Sequence, residues 1–75
     1  MEETKEMDLQ NLFLNYTKKN KIVVQVYLEN GFQMRGKIIG FDNFIIILES
    51  ENKQNMIYKH AVSTIIPSEA IKISE

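Results

Sequence analysis

The apolar residues of this chain change their spacing at residue 22, and that change limits the folds open to it. Before it, Leu9, Leu12, Phe13 and Tyr16 recur at i, i+3, i+4 and i+7, the spacing that lines one side of an α-helix. From it onward, Ile22, Val24, Val26 and Leu28 alternate with Gln25, Tyr27 and Glu29, the two-residue period of a half-buried strand. A short helix that precedes nothing but strands points to an α+β, mainly β domain.

Local signals fill in the rest. Asp8 stands where an N-cap belongs, and the helix should end near Lys19-Asn20. Gln10 and Asn11 lie off the apolar stripe. Lys18, Lys19 and Lys21 crowd the C-terminal turn, where cations suit the helix dipole. Asn30-Gly31 predicts a two-residue type I′ hairpin, with positive φ at both positions. Gly36 and Gly40 interrupt the return strand, Phe32 to Phe41, where a bend or bulge would curl the sheet. Asp42-Asn43 reads as a turn. The run Phe44-Ile45-Ile46-Ile47-Leu48 predicts a strand covered on both faces, with the helix as one cover. After a polar turn over 49–54, two strands are expected at about 54–60 and 62–67, parted by the polar knot Lys59-His60, and Pro67 closes the second.

The result is one helix followed by a strongly bent five-stranded antiparallel sheet, an SH3-like open barrel. Five strands without an inserted helix favour the Sm-type order over an OB-fold. With 75 residues there is one domain, placed at 8–68 between a flexible leader, 1–7, and a short tail, 69–75. So small a core makes association a natural source of stability. The last strand carries Val62, Ile65 and Ile66 without a guarding lysine, an edge that would pair head-to-tail with a neighbour and close into a ring.

Composition removes several function classes. There is no cysteine and one histidine, so disulfides and a single-chain zinc site are not expected. Neither a metal nor another cofactor is implied. No serine, cysteine or carboxylate is spaced to make a nucleophile or acid/base pair with Lys59-His60, so no catalytic residue is assigned and no enzyme is expected. No apolar run is long enough to cross a bilayer, and the acidic start Met1-Glu2-Glu3 is unlike a signal peptide, which leaves the cytoplasm as the simplest compartment.

Net charge is −1, but its distribution is uneven. Over 9–68, seven cations (Lys18, Lys19, Lys21, Arg35, Lys37, Lys53, Lys59) outnumber four carboxylates (Glu29, Asp42, Glu49, Glu51), and the remaining acids gather toward the ends. A ring of such bodies would add its positive charge on a shared face. Tyr58-Lys59-His60 joins a stacking surface, a cation and a ring nitrogen in one turn; by residue type alone it is either a solvated surface turn or a ligand-gripping knot.

Gln10, the hairpin Asn30-Gly31-Phe32-Gln33-Met34-Arg35-Gly36, Phe41-Asp42-Asn43-Phe44 and above all Tyr58-Lys59-His60-Ala61-Val62-Ser63-Thr64 resemble the Hfq family of bacterial Sm-like RNA chaperones. The likeness spans about 8–68. It implies a homohexameric ring in which the fourth and fifth strands of neighbours pair. It further implies partners that are single-stranded RNA, both small regulatory RNA and mRNA. On the proximal face, Phe44 would stack on a uridine-rich end, Gln10 and Lys59 would bond the base edge, His60 would meet phosphate or ribose, and Asn43 and Tyr58 would line the groove. The distal, adenine-binding face would comprise Tyr27, Asn30, Gly31, Phe32, Gln33 and Met34, in the Gram-positive form of that hairpin; Met34 is also in phase with the core. The family's arginine-rich rim corresponds here to Lys18, Lys19 and Lys21, which attract phosphate without a bidentate fork. Asn11 replaces the family's acidic residue, and the tail is shorter than in enterobacterial members. The competing reading is an SH3-like protein-interaction module, for which Tyr16, Tyr27, Phe32 and Phe44 are too scattered to line a peptide groove.

Overall fold

The computed structural model describes residues 8–72; the expected leader 1–7 and the end of the tail, 73–75, lie outside the described residues. Helix α1 (Leu9–Lys19) leads into β1 (Val23–Leu28), β2 (Gln33–Phe41), β3 (Ile45–Ser50) and β4 (Lys53–Tyr58), then a 3₁₀ turn (Lys59–Ala61) and β5 (Val62–Pro67). The strands form one antiparallel sheet in the order β4-β3-β2-β1-β5, so β4 and β5 are its two edges. This is the expected helix and five-stranded sheet, with the polar knot as the 3₁₀ turn.

Helix α1 starts where the sequence places it. The Asp8 carboxylate accepts the Asn11 N–H at 3.2 Å, satisfying one orphan donor of the first turn. At the other end the Ile22 N–H donates to Thr17 O and the Lys21 N–H to Lys18 O, with Lys21 at φ 54, the pattern of a Schellman cap. Lys21 therefore lies beyond the last helical turn rather than within it. The buried side is also turned from the expected stripe. Leu14 and Thr17 are buried and Phe13 packs on the core, whereas Leu9 and Leu12 are exposed. Leu14 and Thr17 lie about 100° round the helix from the stripe, and Thr17 tolerates burial because its hydroxyl donates to Leu14 O at 3.0 Å.

The core gathers Leu14, Val24, Val26, Ile38, Ile46, Leu48 and Ile57. The apolar run of β3 is not covered on both faces: Ile46 and Leu48 are buried, Ile45 and Ile47 half-buried, and Phe44 falls outside the strand. Helix α1 crosses β2 instead, which leaves the far side of β3 partly open.

Two turns depart from expectation in an instructive way. At the β1–β2 hairpin only Gly31 has positive φ, and the Gly31 N–H donates to Leu28 O while the Leu28 N–H donates to Phe32 O. That is a three-residue loop, a tight turn followed by a left-handed glycine, rather than type I′. The I′ turn lies between β3 and β4, where Ser50 pairs with Lys53 and both Glu51 (φ 53) and Asn52 (φ 67) are left-handed. A glutamate pays for that conformation, so Glu51→Asn is expected to raise stability by about 0.5–1 kcal/mol. Chemical denaturation measures it; an unchanged or lower midpoint would contradict the turn.

Ile39 is the extra residue of a bulge in β2, flanked by Ile38↔Leu48 and Gly40↔Ile47, which bends the strand beside Gly40 as expected. Gly36 has a different role. A methyl group there would overlap the Glu49 carbonyl, which belongs to backbone and cannot yield. Gly36→Ala is accordingly expected to destabilise by about 2–3 kcal/mol, read in the same denaturation experiment.

Candidate nucleic-acid interface

The β2–β3 turn presents an aromatic ring to solvent. The Asp42 carboxylate accepts the N–H groups of Phe44 (2.8 Å) and Ile45 (2.9 Å), and the Asp42 N–H donates back to Ile45 O. So tight a turn carries the Phe44 side chain away from the sheet, leaving it 74% exposed, the most exposed large apolar side chain among the described residues. The Lys59 N–H donates to Phe44 O at 2.8 Å, tying the turn to the 3₁₀ segment.

The same two amide donors, aided by the charge of Lys59, hold the Asp42 carboxyl below its ordinary value. A carboxyl lowered by folding stabilises the turn above its unfolded pKa and loses that effect as pH falls through the folded value. The Phe44 and Ile45 amide resonances should therefore shift together in acid, with a midpoint below the usual aspartate range. A midpoint at or above that range would contradict the bonding.

Lys59 reaches from the 3₁₀ turn to the helix, where its Nζ donates to Gln10 Oε1 at 2.7 Å. The structure thus joins Gln10 and Lys59, forty-nine positions apart, in one polar pair. Lys59 Nζ is also 5.6 Å from the centre of the Phe41 ring, and Lys18 Nζ is 5.9 Å from it, so two ammonium groups share one aromatic. Phe41 and Asp42 were not among the expected site residues, although both stand in the string that ends at Phe44. His60 stacks on Tyr58 with ring centres 5.6 Å apart and planes at 20°, and both side chains are exposed. Asn43 is exposed in the turn itself.

The hairpin residues form a separate group. Tyr27 and Gln33 are cross-strand partners, and Phe32 is 64% exposed. Asn30 Oδ1 accepts the Phe32 N–H at 2.9 Å and Gly31 stands at the tip. Gln33 Oε1 lies 3.5 Å from Gln25 Nε2. Met34, opposite Val26, is half-buried and packs against the core, and Tyr27 is half-buried as well. Glu29 N–H to Ala61 O (2.7 Å) and Ser63 Oγ to Tyr27 O (3.2 Å) hold the hairpin on β5 and the 3₁₀ turn. Of the three rim lysines, Lys18 turns to Phe41, Lys19 is exposed in the last helical turn and Lys21 follows the cap.

These groups have the means to hold a polyanion with bases: exposed rings for stacking, an amide and ammonium pair for carbonyl edges, and further cations for phosphate. Among the described residues no group of His, Cys, Asp or Glu is placed to hold a metal ion, and no helix is long and apolar enough to cross a membrane.

The sequence pattern of the family described as Hfq protein matches residues 9–72. The RNA-binding protein Hfq of Clostridium acetobutylicum is 59% identical over 68 residues, covering 91% of this chain and 84% of that protein. The RNA-binding protein Hfq of Leptospira biflexa is 54% identical over 66 residues, covering 88% and 80%. A crystal structure of the pleiotropic translational regulator Hfq superimposes with a TM-score of 0.77 at 42% identity, covering 79% of this chain and 98% of that one.

Proposed function

This chain belongs to the Hfq family, and from that premise we propose that it is an RNA chaperone: a homohexameric ring that binds uridine-rich and adenine-rich single-stranded RNA and promotes pairing of small regulatory RNA with mRNA in the cytoplasm. It binds without chemical turnover. The 8–68 body is the functional unit.

The observation that carries the reading is the Gln10–Lys59 hydrogen bond, joined through the main chain of Lys59 to the exposed Phe44. A ring stacks on any base, whereas an amide paired with an ammonium favours the carbonyl-rich edge of uracil. Tyr58, His60 and Asn43 complete that proximal face. The adenine-rich strand is assigned to Tyr27, Asn30, Gly31, Phe32, Gln33 and Met34, and phosphates passing the rim to Lys18, Lys19 and Lys21. An SH3-like peptide module finds no support in the relatives.

Assembly is supported by the free edges β4 and β5 and by apolar side chains that one subunit leaves uncovered, Leu9, Met56 and Ile66. Beside β5 a groove of about 380 Å³ between α1 and the sheet has an apolar wall of Leu9, Phe13, Ile46, Val62 and Ile65, with Gln10 and Lys59 also on its lining, and a neighbour's β4 laid along β5 would cover that apolar wall.

Binding of short oligo-U, oligo-A and oligo-C tests the function. Oligo-U and oligo-A should bind more tightly than oligo-C, with affinity falling as salt rises. Equal affinity for all three would overturn the reading.

A further inference from the structure

Asn30 is the one asparagine of this chain followed by glycine; Asn11, Asn15, Asn20, Asn43, Asn52 and Asn55 precede bulky or charged residues. A glycine nitrogen meets least hindrance in reaching the side-chain carbonyl of the residue before it. Asn30 and Gly31 are exposed at a hairpin tip, and nothing stands within 4 Å of where a Cβ of Gly31 would be. Space for ring closure is therefore present.

We infer that Asn30-Gly31 is a site of spontaneous covalent modification whose rate is set by the hairpin's own hydrogen bonds. The Gly31 main-chain nitrogen, its proton lost to water, attacks Asn30 Cγ. The Cγ–Nδ2 bond breaks and ammonia leaves with a proton, closing a succinimide. Water then opens the ring at either carbonyl to give aspartate or isoaspartate, a net exchange of one water for one ammonia. In the closed hairpin neither reacting group is free. The Gly31 N–H is engaged with Leu28 O at 2.9 Å, and Asn30 Oδ1 is turned to the Phe32 N–H at 2.9 Å. Reaction requires the turn to open.

Aspartate keeps the main chain of the loop, but neither the succinimide nor isoaspartate can restore it. A succinimide nitrogen has no hydrogen for Leu28 O, and isoaspartate adds a main-chain carbon inside the loop that the Leu28 N–H to Phe32 O bond closes at 2.8 Å. Resting on the adenine-face assignment proposed above, an aged protein loses affinity for oligo-A, because a carboxylate now faces phosphate there, and keeps its affinity for oligo-U.

The test holds the full chain at mildly alkaline pH with and without denaturant and follows each asparagine by peptide mass spectrometry. Acid and isoacid are expected at Asn30, forming at least about tenfold faster in denaturant, with the other asparagines intact. Conversion at Asn30 no faster than at the others in the unfolded chain would overturn the chemistry. Equal rates with and without denaturant would overturn the protection by the turn. Modification at Asn30 with oligo-A binding unchanged would overturn only the placement of Asn30 on the adenine face.

Discussion

Met56→Pro is expected to give a folded subunit that no longer assembles. The two-residue turn at Glu51-Asn52 makes Ser50 and Lys53 a hydrogen-bonded pair, and antiparallel alternation then bonds Asn55 to Leu48 and Ile57 to Ile46. The N–H and C=O of Met56 consequently point away from β3, toward the free edge. Its side chain is 56% exposed, so proline there deletes a donor to a neighbour and removes little from the core. The stability of the isolated subunit should change by about 1 kcal/mol or less, while sedimentation should show single subunits. RNA affinity should fall by about 100-fold or more, because one subunit offers one site where a ring offers several at high effective concentration. A variant that still sediments as the wild-type assembly would remove β4 from the proposed interface.

Phe44→Ala is expected to weaken oligo-U binding by about 5- to 150-fold, the range set by about 1–3 kcal/mol for a lost base–aromatic stack. Folding should be nearly unaffected, because the ring is 74% exposed and its turn is held by Asp42 rather than by packing. Oligo-A binding should be retained. Phe32→Ala, at the exposed aromatic of the β1–β2 hairpin, should show the opposite selectivity. Fluorescence anisotropy with the two oligonucleotides separates these outcomes; equal losses for both in either variant would contradict two distinct binding faces.

The sequence was most informative where local chemistry decides the structure. Asp8 as a cap, the alternation of Ile22, Val24 and Val26, and the knot at Lys59-His60 all stand as expected, because each depends on near neighbours. It misled where tertiary packing chose among options. Leu9 and Leu12 are better hydrophobes than Thr17, yet Thr17 is buried, because the cap at Lys21-Ile22 sets how the helix meets β2 and a back-bonded hydroxyl is satisfied there. Exposed leucines in a lone subunit fit a surface awaiting a neighbour. Turn chemistry failed in a complementary way: Asn30-Gly31 carries the stronger I′ signature, but Glu51-Asn52 adopts that turn, imposed by the Ser50–Lys53 register. At the candidate site, the family resemblance singled out Gln10, Lys59 and Phe44, of which the first two form one hydrogen-bonded pair and the third is exposed. The shared ring of Phe41 was not, since no spacing rule brings Lys18 and Lys59 to one aromatic.

The central claim is that edge-to-edge closure of this small barrel creates the RNA-binding faces. Native mass measurement tests it most directly, with and without a short uridine-rich RNA. The account predicts a species of six times the 8.8 kDa subunit mass, which gains the mass of bound RNA while keeping its subunit number. A single subunit at every concentration, with or without RNA, would contradict it.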